Sequence, residues 1–182
     1  MRKVAIKAAL LSSIVAVGVA LAAPASAAPI LRRLKNADTT YGAYYLGIPP
    51  GPQNGFVTEG ANLVVWQFGQ EDQLWYVPVD DGFGQFRNYY TSPNSPVCLS
   101  VTGTGNGEPV IDQACDAFND NQYWQLISSS KVGKGSEYPG CYILWNITTS
   151  KAIGVTSGYV ANGSTVVQWD YDGTANQFWC VN

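Results

Sequence analysis

The sequence spells Gln-x-Trp three times, as Gln73-Leu74-Trp75, Gln122-Tyr123-Trp124 and Gln177-Phe178-Trp179, at spacings of 49 and 55 residues. A motif that recurs at a near-regular spacing indicates a repeat architecture. In a β-strand, residues i and i+2 share a face, so each glutamine points the same way as its tryptophan. We therefore expect the three tryptophans to pack in the core on a pseudo-threefold axis. Each buried glutamine amide would bond to the backbone of the adjoining turn.

Two strand-like segments precede each Gln-x-Trp in the same order. The nearer segments are Leu63–Phe68, Val110–Gln113 and Thr165–Trp169, and the farther ones are Tyr44–Ile48, Val97–Val101 and Lys151–Val155. They are rich in β-branched and aromatic residues, and Gly, Pro, Asn and Asp clusters separate them. No sustained 3.6-residue apolar period follows residue 28, so we expect little helix. The pattern predicts an all-β fold of three repeats, at about residues 30–80, 81–130 and 137–182.

The first 27 residues have the pattern of a secretory signal peptide. Three basic residues (Arg2, Lys3 and Lys7) precede an uncharged apolar run over residues 8–23, and Ala25-Ser26-Ala27 offers the small residues that a signal peptidase accepts. The run is shorter than the ~20 residues of a membrane helix, and an uncleaved anchor is the alternative. We therefore expect a secreted, extracellular protein in which residues 28–182 form one domain.

The charge balance argues against anionic partners. Three of the ten basic residues lie in the signal peptide, so the predicted mature chain has seven basic against thirteen acidic residues, a formal charge of −6. Nucleic acid or an anionic membrane needs a clustered basic face, and only Arg32, Arg33 and Lys35 come close to one. We predict no nucleic-acid partner, no membrane partner and a monomer.

The residues that most catalytic or metal sites need are missing. The chain has no histidine, and its four cysteines (Cys98, Cys115, Cys141 and Cys180) are an even count that predicts two disulfides, with three pairings open. Only carboxylates remain as catalytic candidates, and the adjacent pairs Glu71-Asp72 and Asp80-Asp81 point apart in an extended chain. Three further aspartates lack the spacing of a calcium loop: Asp112, Asp116 and Asp120. We predict a protein that is not an enzyme and that has no metal or other cofactor.

The three repeats resemble the ricin B-type lectin family, whose three subdomains each end in Gln-x-Trp. Cys98-Leu99-Ser100-Val101, upstream of the second Gln-x-Trp, strengthens the resemblance, which covers nearly all of residues 28–182. It implies a β-trefoil of three four-stranded repeats, with disulfides Cys98–Cys115 and Cys141–Cys180. It also implies a carbohydrate-binding lectin, whose partner is a glycan or polysaccharide; galactose-type and plant cell-wall sugars are the candidates.

In that family, a sugar-binding repeat combines a strand aspartate, an aromatic platform and an Asn-Gln pair. The third repeat here matches best, with Trp169 as the platform and Asn176-Gln177 as the pair. The first repeat offers Trp66 and Gln73. The second repeat has Gln113 where the aromatic residue should be. We therefore expect sugar binding first in the third repeat, next in the first repeat and last in the second.

The strand aspartate is missing from all three repeats, because its positions are occupied by Gly47, Ser100 and Gly154. A charged hydrogen bond contributes about 1.5–3 kcal/mol, so its loss weakens binding unless another group replaces it. At Gly154 the sequence suggests free space where a carboxylate would stand, and restoring the aspartate there is expected to tighten binding.

Two other functions stay open. A β-trefoil protease inhibitor could present Lys131 or Lys134, in the segment Ser130–Gly135, to a trypsin-like pocket. A trefoil that has lost sugar binding could serve as a surface interaction module, which the missing aspartates favour.

Overall fold

The computed structural model of the protein describes residues 29–49, 59–67, 71–78, 82–91, 95–156 and 160–182. The predicted signal peptide and the pair Asp80-Asp81 lie outside these residues. The described part of the chain is built from β-strands and short 3-10 turns, without an α-helix. Its strands are β1 (Ile30–Arg32), β2 (Leu34–Asn36), β3 (Tyr44–Gly47), β4 (Val64–Gln67), β5 (Trp75–Val77), β6 (Phe83–Gln85), β7 (Arg87–Asn88), β8 (Val97–Val101), β9 (Val110–Ala114), β10 (Tyr123–Ser128), β11 (Cys141–Asn146), β12 (Lys151–Val155), β13 (Ser164–Trp169) and β14 (Trp179–Val181). The 3-10 turns are Glu71–Gln73, Asp120–Gln122, Ser129–Val132 and Ala175–Gln177.

The first and last strands of the three repeats close into a ring of antiparallel pairs. The first strand is interrupted in two repeats, which gives β1 with β2 and β6 with β7, and it is continuous as β11 in the third. Around the ring, β1 pairs with β5, β5 with β7, β6 with β10, β10 with β11, β11 with β14, and β14 with β2. The last strand of each repeat therefore pairs with the first strand of the next.

The two middle strands of each repeat form a hairpin: β3 with β4, β8 with β9, and β12 with β13. Each hairpin joins the ring through the first strand of its repeat, in the pairs β2–β3, β7–β8 and β11–β12. Three repeats of four strand positions, arranged in this way, make a β-trefoil. The predicted all-β fold of three four-stranded repeats is confirmed.

The three Gln-x-Trp tryptophans are fully buried in one hydrophobic cluster. Each indole donates its N–H to the carbonyl of the hairpin strand in its own repeat, and the geometry repeats: Trp75 to Leu46 at 3.0 Å, Trp124 to Leu99 at 3.0 Å and Trp179 to Ile153 at 3.1 Å. A buried indole N–H needs such a partner. Equivalent hydrogen bonds at three places indicate that the repeats share one internal packing.

Three buried asparagines connect consecutive repeats, and the sequence analysis did not identify them. Each ends the first strand of a repeat, and its side-chain amide donates to the carbonyl before the Gln-x-Trp glutamine of the preceding repeat: Asn36 to Asn176 (2.8 Å), Asn88 to Asp72 (2.7 Å) and Asn146 to Asn121 (3.0 Å). An apolar-x-Asn pattern marks all three, as Leu34-Lys35-Asn36, Phe86-Arg87-Asn88 and Leu144-Trp145-Asn146. Aligning the repeats on this pattern would have found them.

The loop of each hairpin contacts the next repeat through a glycine in the left-handed region. The N–H groups of these glycines donate to the third strand of the neighbouring repeat: Gly60 (φ 90°) to Asp112 at 2.7 Å, Gly107 (φ 85°) to Gln168 at 2.9 Å and Gly163 (φ 84°) to Val65 at 2.9 Å. Glycine adopts this backbone conformation at little steric cost. Residues of one repeat are thereby placed beside the hairpin of the next.

Both disulfides have the pairing that the family resemblance implied. Cys98 is bonded to Cys115, with Cα atoms 5.0 Å apart, and Cys141 is bonded to Cys180, with Cα atoms 3.9 Å apart. Cys141 and Cys180 lie directly opposite each other in the β11–β14 pair. Each disulfide therefore lies within one repeat.

Candidate functional site

An open cleft of about 780 Å³ lies in the third repeat, between the β12–β13 hairpin and the turn that leads to the last Gln-x-Trp. Gly154, Val167 and Trp169 of the hairpin line it on one side, and Asp172 and Asn176 of the turn line it on the other. Antiparallel pairing places Gly154 opposite Val167. Gln177 lines it as well, so the cleft brings together all four of the predicted third-repeat residues.

Trp169 is the exposed aromatic side chain of this cleft. It ends β13, is 45% exposed, and faces the small Ala152 across the hairpin. Gly107 of the second repeat packs against its ring, since a Cβ at position 107 would lie 3.1 Å from Trp169 Cζ3. An indole supported in this way keeps a fixed orientation while part of its surface stays open to a ligand.

Asp170 connects the second-repeat loop to the end of β13. Its Oδ2 accepts a hydrogen bond from the Asn106 amide at 2.8 Å, and its own N–H donates to Asn106 Oδ1 at 2.9 Å. Its Oδ1 accepts from Lys151 Nζ at 2.6 Å. These hydrogen bonds hold the pKa of the Asp170 carboxyl below its ordinary value. Asp170 therefore fixes the loop that carries Gly107 beside the platform.

The side-chain amides of the first and third Gln-x-Trp glutamines form hydrogen bonds with backbone groups. Gln177 is 1% exposed; its Oε1 accepts from the N–H of Asp172 at 2.9 Å, and its Nε2 donates to the Asp170 carbonyl at 2.9 Å. Gln73 is fully buried and donates to the carbonyls of Trp66 and Gln67 at 3.1 and 3.0 Å. We predicted that both amides bind sugar. These hydrogen bonds and the burial of both amides show that they shape their turns, and sugar binding by either amide stays a prediction.

Asn176 keeps part of its hydrogen-bonding capacity. Its Nδ2 donates to the Val155 carbonyl at 3.0 Å, and its Oδ1 accepts from the Thr174 hydroxyl. A side-chain amide has a second N–H and a second oxygen lone pair. Asn176 is half-buried in the cleft wall, so these remaining positions can serve a ligand.

The expectation of free space at Gly154 is wrong. A Cβ at this position would lie 3.0 Å from Gln177 Cγ and 3.1 Å from the Asn176 carbonyl oxygen. One of these atoms belongs to the backbone and the other to a side chain fixed at both ends of its amide. A side chain at position 154 therefore requires the Asn176 backbone and the Gln177 side chain to shift by a few tenths of an ångström.

The first repeat has a different arrangement around its tryptophan. Trp66 is half-buried, and its indole N–H is buried without a hydrogen-bond partner in the described part of the chain. Asp72 occupies the volume beside Gly47, since its Oδ2 would lie 2.8 Å from a Cβ there. Burial raises the pKa of Asp72. Residues 68–70, which complete this region in sequence, lie outside the described residues.

The second repeat fills its equivalent position with an internal hydrogen-bond network. Gln113, at the platform position, accepts through Oε1 from the Ser100 hydroxyl at 2.9 Å and from the Asn119 amide at 3.3 Å. Gln122 donates to the Ala114 carbonyl at 2.8 Å. The polar groups of this site bind one another, and the platform position holds an amide instead of an aromatic ring.

The two lysines considered for protease inhibition lie on compact backbone. Lys131 is within the 3-10 turn Ser129–Val132, which ends at Gly133 in the left-handed region (φ 75°). Lys134 forms an ion pair with Glu137 at 2.8 Å. The carbonyl of Lys134 accepts from the N–H groups of Glu137 and Tyr138 at 3.1 and 2.9 Å, so this lysine begins a hydrogen-bonded turn. Peptides that bind a cleft or sheet edge are commonly extended.

The described ranges offer neither a metal-binding cluster nor a membrane-spanning helix. No cluster of three or more His, Cys, Asp or Glu side chains is placed to hold a metal ion in these ranges. None of their helical segments has the length and apolar character to span a bilayer.

Comparison with known proteins identifies the fold. No protein-family model and no curated protein sequence matches the chain. Among solved structures, the chain is similar to ThreeFoil, a designed 3-fold symmetric protein, with 24% identity over 83% of this chain and 96% of that one (TM-score 0.67). It is similar to 1,3Gal43A, an exo-β-1,3-galactanase from Clostridium thermocellum, with 23% identity over 82% of this chain but 30% of that one (TM-score 0.63). The C-half of an earthworm R-type lectin in complex with GalNAc matches with 13% identity over 85% of this chain and 98% of that one (TM-score 0.56). The chain is thus a β-trefoil protein whose structural neighbours include lectins.

Proposed function

We propose that the protein is a secreted, non-catalytic carbohydrate-binding protein of the lectin type, and that its principal site is the third-repeat cleft. The observation that carries the proposal is Trp169, an aromatic ring that is 45% exposed on the wall of an open cleft with polar groups opposite. An aromatic face packs on the apolar C–H face of a pyranose, while fixed polar groups bind its hydroxyls.

Other features support the proposal. The signal-peptide pattern of residues 1–27 and the two disulfides fit an exported protein. The earthworm lectin neighbour is a complex with GalNAc, and the galactanase neighbour acts on a sugar polymer. Within the chain, the second repeat has no platform, and the first has a half-buried one. We therefore infer one principal site and a weaker one at Trp66.

A glycan array and a polysaccharide pull-down with the exported chain test this function. We expect retention on at least one neutral glycan above the signal of a heat-unfolded sample. Absence of binding to every glycan and polysaccharide, by a chain that unfolds cooperatively, would overturn the proposal in favour of an interaction module. Undiminished trypsin and subtilisin activity at micromolar protein would exclude the inhibitor alternative.

A further inference from the structure

The third-repeat cleft has a carboxylate that does not come from the third repeat. Asp38 lines the cleft together with Asp172, although it lies in the first repeat, two residues after β2 ends. It reaches the cleft because β14 pairs with β2 and because the Asn36 amide donates to the Asn176 carbonyl at 2.8 Å. Closure of the trefoil ring therefore delivers an acidic side chain to the cleft wall.

Asp172 has a structural task. Its Oδ1 accepts a hydrogen bond from the N–H of Thr174 at 2.9 Å, which holds the turn before the last motif. The second repeat has the same turn, in which Asp116 Oδ1 accepts from the N–H of Phe118 at 2.9 Å. The same carboxylate thus occurs in the second repeat, which has no aromatic platform. Its role in both repeats is to hold the turn.

Asp38 is different, because the framework does not require an acid at its position. Its N–H donates to Asn36 Oδ1 at 3.1 Å. In the other repeats the same backbone hydrogen bond is made by residues without a carboxylate, Tyr90 (2.9 Å) and Thr148 (3.0 Å). Asp38 Oδ1 accepts from the N–H of Thr40 at 3.0 Å, and its Oδ2 accepts no hydrogen bond from the described residues. One carboxylate oxygen thus stays available at the cleft.

No lysine or arginine is among the described residues that line the cleft. Two lysines are paired with other carboxylates, since Lys151 binds Asp170 at 2.6 Å and Lys134 binds Glu137 at 2.8 Å. Two carboxylates without an opposing charge favour an uncharged ligand and repel an anionic one.

We propose that Asp38 is a specificity-determining residue of the third-repeat cleft, where its free carboxylate oxygen accepts hydrogen bonds from the hydroxyls of a neutral sugar and excludes uronic acids. It replaces, from a neighbouring repeat, the strand carboxylate that Gly154 has no room to provide. This inference rests on the proposed function, and its ligand class is a neutral pyranose.

The test is the variant Asp38→Asn, which removes the charge but keeps an oxygen for the N–H of Thr40. Asp116→Asn is the matched control, because it removes the same charge from an exposed turn in the second repeat. The probes are methyl glycosides of glucose, galactose and mannose, each beside its uronic acid, which has a carboxylate in place of the C6 hydroxymethyl group. We expect the parent to bind at least one neutral sugar more tightly than its uronic acid. Asp38→Asn should weaken that binding about tenfold and reduce the preference for the neutral sugar.

Four outcomes would count against the inference. A parent that binds a uronic acid as tightly as its neutral counterpart overturns it, as does an Asp38→Asn protein with unchanged affinity and preference. If Trp169→Ala abolishes binding while Asp38→Asn does not alter it, the proposed function stands and only the role of Asp38 fails. If the parent binds none of these sugars and no glycan on the array, the proposed function fails and this inference fails with it.

Discussion

Asp112 is a buried acid in β9, and only one of its two carboxylate oxygens accepts a hydrogen bond from the described residues. Its Oδ1 accepts from the N–H of Ala61 at 2.6 Å, and its Oδ2 has no partner among the described residues. Burial raises the pKa of this carboxyl from 3.8 to about 6. The folded state therefore binds the proton more tightly than the unfolded state, so stability falls as the pH rises from about 4 through about 6. At pH 7 the buried charge costs at most about 3 kcal/mol.

We predict that Asp112→Asn stabilises the protein at pH 7 by about 1–2 kcal/mol, because the amide keeps the bond to Ala61 without the charge. The gain should shrink towards zero or below near pH 4, where the parent is protonated. Urea unfolding between pH 4 and 7 measures it, with exposed Asp116→Asn as the control. A gain that does not grow with pH would contradict the assigned pKa.

At Gly154 the sequence predicted free space, but the structure shows close contacts. We predict that Gly154→Ala destabilises the protein by about 1–3 kcal/mol, since its Cβ would press on the Asn176 carbonyl at 3.1 Å. Gly84→Ala is the matched control in β6, where the nearest atom to a Cβ is Pro78 Cγ at an ordinary 3.4 Å. Thermal unfolding compares the two. Equal midpoints would show that the third-repeat turn yields to a side chain, and Gly154→Asp would then be worth testing for tighter binding.

At the scale of the elements, the hairpin loop of the second repeat positions the platform of the third. We predict that Gly107→Ala weakens glycan binding several-fold. Its Cβ would lie 3.1 Å from Trp169 Cζ3 and would push the ring out of position. Gly60→Ala is a close control, because Gly60 has the same left-handed backbone (φ 90° against 85°) and an equivalent hydrogen bond. No atom of the described residues lies within 4 Å of a Cβ at position 60. Both variants should lose about 1 kcal/mol or more to backbone strain.

Binding is measured by titration with the best glycan from the array, and stability by thermal unfolding. The prediction requires binding to fall for Gly107→Ala and to hold for Gly60→Ala. If the two variants bind equally well, the second-repeat loop does not orient Trp169.

How far each element could be predicted depends on whether its partner is near in sequence. The Gln-x-Trp motif predicts the strand, the buried tryptophan and the repeat, because all of these follow from period-2 geometry within a few residues. The glycines of the hairpin loop could be recognised as turn residues. Their contact with the next repeat could not, since Gly107 and Trp169 are far apart in the chain and only the threefold arrangement brings them together.

The residues of the candidate site could also be predicted only where their partners are near in sequence. Trp169 was found because it lies at a fixed offset from its motif, and it does line the cleft. Asp38 was missed because it belongs to another repeat and enters only when β14 pairs with β2. The lack of room at Gly154 could not be read from the sequence, because glycine there marks the close approach of the Asn176 backbone rather than a vacancy.

At the scale of the whole molecule, three asparagines join the repeats in a ring. We predict that Asn36→Ala, Asn88→Ala and Asn146→Ala each destabilise the protein by about 1–3 kcal/mol. Each removes the partner of a carbonyl in the preceding repeat, at 2.8, 2.7 and 3.0 Å respectively. Urea unfolding of the three variants under one condition measures the loss. Similar losses are expected from similar geometry; a variant with parental stability would show that its repeat junction is held by other contacts.

The central claim is that this trefoil binds sugar in its third repeat through Trp169. The most direct measurement is the affinity of Trp169→Ala for the best neutral glycan from the array, beside Trp66→Ala, the equivalent tryptophan of the first repeat. Removal of a stacking ring costs about 1–3 kcal/mol, so Trp169→Ala should bind about ten- to a hundredfold more weakly while keeping the parental unfolding midpoint. Trp66→Ala should lose less. A folded Trp169→Ala protein that binds like the parent would contradict the account.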